Sequence, residues 1–197
     1  MLNAPVAGSG APIVGILLAA GSASRFGGGK LLAALPDGTP VGVAALRNLQ
    51  AAVDAVIAVV RPGDDVLAEA LRAAGARVSV CPDARDGMGA SLAWGVRAAP
   101  LAAGWLVALA DMPWIQPASI ASVASLLRRH AVLAAPQCQG QRGHPVGIAA
   151  RFYGPLNQLS ADEGAKHLLT EHAAEFELVP VSDAGVLRDI DTPADLP

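Results

Sequence analysis

Five short runs, most of them apolar on both faces, punctuate the first two thirds of this 197-residue chain: Ile13–Ala19, Ala55–Val60, Arg77–Val80, Gly104–Ala110 and Ala131–Ala135. A strand with one wet face alternates apolar and polar residues. A strand apolar on both faces has to be covered on both, as in parallel sheets whose crossover helices lie above and below. Helical signals fall between the runs. In Asp64–Ala74, Val66, Leu67, Ala70, Leu71 and Ala74 form one stripe with Glu69 and Arg72 outside it. Further on, Ile120, Val123, Ala124 and Leu127 keep the i, i+3, i+4, i+7 spacing behind Pro117, a good first-turn residue. Thr39-Pro40 marks another helix start. This alternation predicts an α/β sheet with right-handed crossovers.

The last third is less regular. Pro145–Ala150 reads as a strand after a Gln139–Gly143 turn, Ala161–His172 as a helix, and Glu177–Val181 and Val186–Asp189 as further strands. No repeat, coiled coil or interdomain linker interrupts the sequence. Residues 13–197 are therefore expected to form a single domain behind a loose, Ala/Gly/Pro-rich tail, residues 1–12.

Composition narrows the function. Hydrophobic residues make up 53% and charged residues 16%, against about 25% charged in a usual soluble domain, which excludes a disordered chain. With 14 Lys+Arg against 17 Asp+Glu and a net charge of -3, a general nucleic-acid binder is disfavoured, because phosphate neutralisation needs a clustered basic face. The longest apolar run, Leu101–Ala110, is half the length of roughly 20 residues that crosses a bilayer. Ile13–Leu18 followed by small residues looks like an export signal, yet the first Lys or Arg is Arg25, after the run instead of before it. Cys81 and Cys138 make neither a disulfide framework nor a CxxC knuckle. A reducing, cytoplasmic setting is expected.

Ligands of open α/β sheets bind beyond the carboxyl ends of the strands. The first run is followed by the Arg25/Lys30 loop, the third by Asp83–Ser91 and the fourth by Asp111-Met112-Pro113, so these three segments should converge. The first loop, Leu18-Ala19-Ala20-Gly21-Ser22-Ala23-Ser24-Arg25-Phe26-Gly27-Gly28-Gly29-Lys30, is the most informative stretch. Small residues let backbone N–H groups turn toward an anion. Arg25 adds a planar fork and Lys30 a compact point charge, together suiting a polyphosphate. A dinucleotide G-x-G-x-x-G fails because Ser22-Ala23-Ser24 follows Gly21. A Walker A loop fails because Leu31 stands where Ser or Thr is required.

The pattern L-A-A-G-x-S-x-R-F/M-G-x-x-K resembles the signature loop of the MobA-like nucleotidyltransferases, nearest to their molybdenum cofactor cytidylyltransferase branch. Later landmarks of the resemblance come in order: Gly87-Met88-Gly89-Ala90-Ser91-Leu92, Asp111-Met112-Pro113, Arg142-Gly143-His144-Pro145-Val146, Asp162-Glu163-Gly164-Ala165-Lys166 and Asp189-Ile190-Asp191-Thr192-Pro193. Phe26 stands where the family often has Met. The resemblance implies a three-layer, doubly wound, mostly parallel sheet of the nucleotide-diphospho-sugar transferase, Rossmann-like type.

It also implies an enzyme that moves CMP from CTP to molybdopterin or the molybdenum cofactor with release of pyrophosphate, for delivery to a recipient molybdoenzyme. Ala20, where guanylyl-transferring relatives tend to carry Gly, favours CTP over GTP. By the same resemblance Arg25, Lys30 and Asp111 are catalytic. Leu18, Ala19, Ala20, Gly21, Ser22, Arg25, Lys30, Gly89 and Ser91 bind the nucleotide, while His144, Asp162, Gly164 and Lys166 meet the acceptor. Mg²⁺ is the implied cofactor, on Asp111 and Asp191. The residues leave alternatives open beside these roles. Asp111 suits a turn cap before Pro113. Asp189 and Asp191 share one side of an extended segment, while Asp191 also suits a helix N-cap before Pro193. Gly89-Ala90-Ser91-Leu92-Ala93 nearly spells a hydrolase elbow, but Ala93 breaks it. Asp162 and Glu163 suit an ordinary first helical turn, and Trp94, Trp105 and Trp114 read as core or wall residues. A guanylyltransferase, a non-catalytic molybdenum cofactor binder and an NAD(P)-dependent oxidoreductase stand as competing functions.

Overall fold

The computed structural model describes residues 10–21, 26–160 and 165–196. Most of the expected N-terminal tail, and Ser22, Arg25, Asp162 and Gly164, lie outside the described residues.

The four leading apolar runs form parallel strands β1 (Ile13–Leu18), β2 (Ala55–Val60), β3 (Arg77–Val80) and β4 (Gly104–Leu109), in the spatial order β3-β2-β1-β4. Helices α1 (Val41–Gln50), α2 (Asp65–Ala73) and α3 (Met88–Arg97) connect them. After α4 (Pro117–Arg128) the chain forms β5 (Leu133–Cys138) and returns antiparallel along it as β6 (Gln141–Arg142) and β7 (Val146–Ala149). β7 inserts between β4 and β5 and is antiparallel to both. Two short helices come next, α5 (Tyr153–Asn157) and α6 (Lys166–Glu171), before β8 (Phe176–Pro180) pairs parallel with β5.

The two-sided apolarity of the strands is used as expected. Along β1, Ile13 and Leu17 face the side covered by α1, α2 and α4, while Val14 and Ile16 face the side of α3, α5 and α6. Leu46, Leu49 and Leu71 fill one face, and Trp105, Ile148 and Leu156 the other, all at 0–1% exposure. Each such burial is worth about 1.5–3 kcal/mol. The helix α3 lies close enough that a Cβ on Gly95 would collide with Ile16, so only glycine lets it approach the sheet there.

Three local expectations differ. The Gln139–Gly143 turn is tighter, because Gln141 and Arg142 already pair with Cys138 and Gln137. Val186–Asp189 is not a strand. Its first half belongs to a 3-10 turn, Ala184–Leu187, capped by Asp183, whose carboxylate accepts from the Gly185 amide at 2.9 Å. The other oxygen of Asp183 accepts from Gln116 N and Ser119 Oγ, each at 2.8 Å, tying that turn to the start of α4. A long-range cap of this kind leaves no periodic signal. The described part of the expected 161–172 helix is only α6, Lys166–Glu171.

Candidate active site

A cleft of about 470 Å³ opens at the carboxyl ends of β1–β4, lined by Leu18, Ala20, Gly21, Lys30, Leu31, Arg61, Ala84, Arg85, Gly87, Met88, Ser91, Leu109 and Asp111. Hydrogen bonds between strand ends fix its floor: Ala19 N–H donates to Val59 O at 2.8 Å, and Ala110 N–H to Leu18 O at 3.1 Å. Gly27, Gly28 and Gly29 have φ of 84°, 97° and 66°, a left-handed run that side chains would strain. The run folds the loop back into a 3-10 turn at Lys30–Leu32 and so returns Lys30 to the cleft.

Lys30 ends between two carboxylates. Its Nζ donates to Asp111 Oδ2 at 2.7 Å and lies 3.9 Å from Asp191 Oδ1, with the Lys30 and Asp111 side chains 11% and 23% exposed. Asp111 comes from the turn after β4, and Asp191 from a segment fastened across the site. His144 N–H donates to Val186 O at 2.9 Å, and Ile190 N–H to Asp111 O at 3.0 Å. The turn-cap alternative for Asp111 does not describe what its carboxylate does, since it bonds Lys30. Nor is Asp191 a helix N-cap. Thr192 takes that place in a capping box with Asp195, and Asp195 Oδ2 accepts from Asp191 N at 3.1 Å and Thr192 N at 2.6 Å.

Among the described residues Asp111 Oδ1 is buried without a hydrogen-bond partner, an expensive state for a carboxylate oxygen unless a cation or donor meets it. Mg²⁺ takes one or two carboxylates and completes its shell with phosphate oxygens and water. The unpartnered Oδ1, with Asp191 across the same ammonium, fits that demand. No cluster of three His, Cys, Asp or Glu side chains among the described residues is arranged to hold a metal by protein ligands alone.

His144, between β6 and β7, is half-buried, and its buried Nδ1 has no hydrogen-bond partner among the described residues. Burial holds its imidazole below the usual histidine range, against the opposing influence of the Val107 backbone and the Asp111 charge. A Cβ on the preceding Gly143 would collide with Val186, so glycine is required for the close crossing that places His144 here.

Of the residues expected to bind nucleotide, Leu18, Ala20, Gly21, Lys30 and Ser91 line the cleft. Ala19 is buried and uses its amide in the sheet-end bond, while Gly89 is buried in the first turn of α3. Lys166 is exposed at the start of α6 and is not among the lining residues. Trp94 and Trp105 are tied to Ser79 Oγ and Ala99 O, and Trp114 lies under the Arg188 guanidinium, 3.8 Å from its ring centre. Seven lining residues, Leu31, Arg61, Ala84, Arg85, Gly87, Met88 and Leu109, carry no binding role in the sequence expectations. Arg61 is the first residue after β2, so the rule that ligands bind beyond strand ends, applied to β2 as to its neighbours, finds it. Arg85 and Met88 sit inside the Asp83–Ser91 segment, where the resemblance rests on the glycines and the serine.

The model of the MobA-like NTP transferase domain matches residues 15–176. The chain belongs to that family. The purine catabolism protein PucB of Bacillus subtilis is 30% identical, the alignment covering 92% of each chain. The nicotine blue oxidoreductase of Paenarthrobacter nicotinovorans is also 30% identical, over 91% of this chain and 92% of its own. Among solved structures, Rv0371c of Mycobacterium tuberculosis superposes with a TM-score of 0.80 at 27% identity, covering 94% of this chain and 95% of that one. A structure of Rv0371c in complex with manganese matches at a TM-score of 0.71 and 25% identity, over 86% and 88%. The family's α/β nucleotidyltransferase fold is the fold observed here, with the matched span running from within β1 to the first residue of β8.

Proposed function

We propose that this chain is a cytidylyltransferase that transfers CMP from CTP to molybdopterin or the molybdenum cofactor and releases pyrophosphate. The observation that carries the reading is the Lys30–Asp111 pair at the mouth of a cleft of nucleotide size, with one Asp111 oxygen left unpartnered. An acceptor phosphate oxygen attacks the α-phosphorus, the bond to the α,β-bridging oxygen breaks, and pyrophosphate departs with the electron pair. Such transfer asks a protein for positioning and charge neutralisation more than covalent chemistry.

In this reading Lys30 is drawn from Asp111 toward the α-phosphate, where charge develops, and Arg25 and the backbone of Gly21 and Ser22 hold the β- and γ-phosphates. Ala20, Gly89 and Ser91 frame the base. Ala20, with a methyl instead of hydrogen at the cleft wall, supports CTP over GTP. His144 beside Asp111, with Asp162, Gly164 and Lys166, receives the acceptor. Asp111 and Asp191 would hold a divalent ion, Mg²⁺ or the manganese seen with Rv0371c; when bound, it neutralises and orients phosphate oxygens.

The relative named nicotine blue oxidoreductase, as similar as PucB, favours a second reading in which the cleft serves a redox reaction. A pyrophosphate-release assay with molybdenum cofactor, Mg²⁺ and each of the four nucleoside triphosphates separates them. Release with CTP is the expected result, and release with GTP alone would reassign the base. No release with any nucleotide, together with NAD(P)H oxidation, would replace transfer by reduction.

A further inference from the structure

The 470 Å³ cleft meets a second cavity of about 220 Å³, lined by Gly21, Gly29, Lys30, Leu31, Leu32, Arg61, Gly63, Asp64, Asp65, Val66 and Leu67. Gly21, Lys30, Leu31 and Arg61 border both. Of the two cations at this junction, Lys30 is engaged by Asp111. Arg61 is held differently. Its Nε lies 2.9 Å from Asp64 Oδ2, and the two side chains are 34% and 24% exposed. Among the described residues the terminal Nη1 and Nη2 groups donate no hydrogen bond to another side chain or to the backbone.

That arrangement pairs a guanidinium with a carboxylate through its inner nitrogen and leaves the hydrogen bonds of its outer fork unmade among the described residues. A guanidinium fork matches two oxygens of one phosphate, and being held beforehand reduces the freedom lost on binding. The position also suits the task. Val59 of β2 pairs in register with Leu18 of β1, so the loop after β2 stands beside the glycine-rich loop. Among the described residues the larger cleft is lined by three cations, Lys30, Arg61 and Arg85, and by Asp111, so each cation that a carboxylate now holds can be drawn to a phosphate oxygen.

We infer that Arg61, braced by Asp64, is a polyphosphate-binding residue that grips the phosphate chain of the nucleotide from the β2 side. The inference rests on the nucleotide-transfer reading for its ligand and adds a contact outside the glycine-rich loop. The competing explanation is that Arg61 and Asp64 form only an i,i+3 surface pair at the start of α2, of the kind worth little to stability.

The test is calorimetric titration of the full chain, with and without Mg²⁺, using inorganic tripolyphosphate, pyrophosphate and CMP as probes. Arg61→Ala is expected to weaken tripolyphosphate binding by about tenfold or more, as loss of charge-assisted hydrogen bonds does. CMP binding should change less than about twofold, and Arg61→Lys should recover part of the loss by keeping the charge without the fork. A melting curve without ligand verifies that each variant is folded, and Arg61→Lys carries the measurement if Arg61→Ala is not. Unchanged tripolyphosphate affinity, equal losses for all three probes, or no binding by the parent protein would each overturn the assignment. Pyrophosphate release is scored separately. A parent protein that binds tripolyphosphate through Arg61 but transfers no nucleotide removes the transferase reading alone, and normal transfer by an Arg61→Ala variant of undiminished affinity removes Arg61 alone.

Discussion

The amide of Ile190 donates to the carbonyl of Asp111 across 3.0 Å, and Ile190 itself is buried. This one bond ties the segment before Asp191 to the turn after β4, and Asp191 Oδ1 comes within 3.9 Å of the Lys30 Nζ that Asp111 also holds. The two carboxylates and the ammonium are thus held by backbone contacts and by the side chains' mutual attraction together.

Asp111→Asn should reduce pyrophosphate release by about 10³-fold or more, because it removes the charge that faces Lys30 and the unpartnered oxygen offered to a cation. Lys30 keeps Asp191 at 3.9 Å, so the melting temperature should stay within a few degrees of the parent. A variant that retains parental turnover would remove Asp111 from the site.

Lys30→Ala should slow transfer by at least about 10²-fold, the usual loss when one donor to a developing charge is deleted. Single-turnover measurements at saturating nucleotide separate this rate effect from weaker binding. A loss confined to KM would make Lys30 a binding residue and nothing more.

Gly143→Ala tests the crossing that carries His144. The added methyl meets the Val186 carbonyl, to whose oxygen His144 N–H also bonds, so one of the two crossing segments has to shift. Urea unfolding should show a loss of about 1–3 kcal/mol, with reduced turnover. Parental stability would mean that the 184–191 segment is more loosely seated than its contacts imply.

Glu175 supplies a test in pH. It pairs with Arg151 and lies 2.6 Å from His172 Nδ1. Those hydrogen bonds, His172 first and Arg151 next, hold its carboxyl below the ordinary glutamate value of 4.5. A depressed carboxylate stabilises the fold above its unfolded value, and the contribution disappears as pH falls through the folded one. Melting temperatures of Glu175→Gln should therefore lie below the parent at neutral pH, with the gap closing as pH drops beneath 4.5. A gap that is constant with pH would assign the effect to packing.

The legible part of this protein is whatever depends on neighbours along the chain. The two-sided apolarity of Ile13–Ala19, Ala55–Val60 and Gly104–Ala110 announces covered parallel strands, since burial on two faces leaves no polar position to alternate. The same residues place the cleft, because a parallel sheet gathers its carboxyl ends on one edge. The insertion of β7 between β4 and β5 is not legible: its hydropathy matches any inner strand, and nothing local encodes direction. The short 3-10 turn at Ala184–Leu187 is hidden for a related reason, as its cap is Asp183, shared with Gln116 and Ser119 on a distant helix.

By itself, then, the order of residues determined the strand–helix alternation, the glycine-rich loop and the candidacy of Lys30 and Asp111. Only the tertiary structure decided which charges meet. Lys30 and Asp111 stand 81 positions apart, and Arg61 borders the cleft because β2 pairs with β1. Periodicity records what a residue packs against locally, whereas ion pairing depends on distances set by the completed sheet, and an electrostatic attraction that falls away over a few ångströms leaves no trace along the chain.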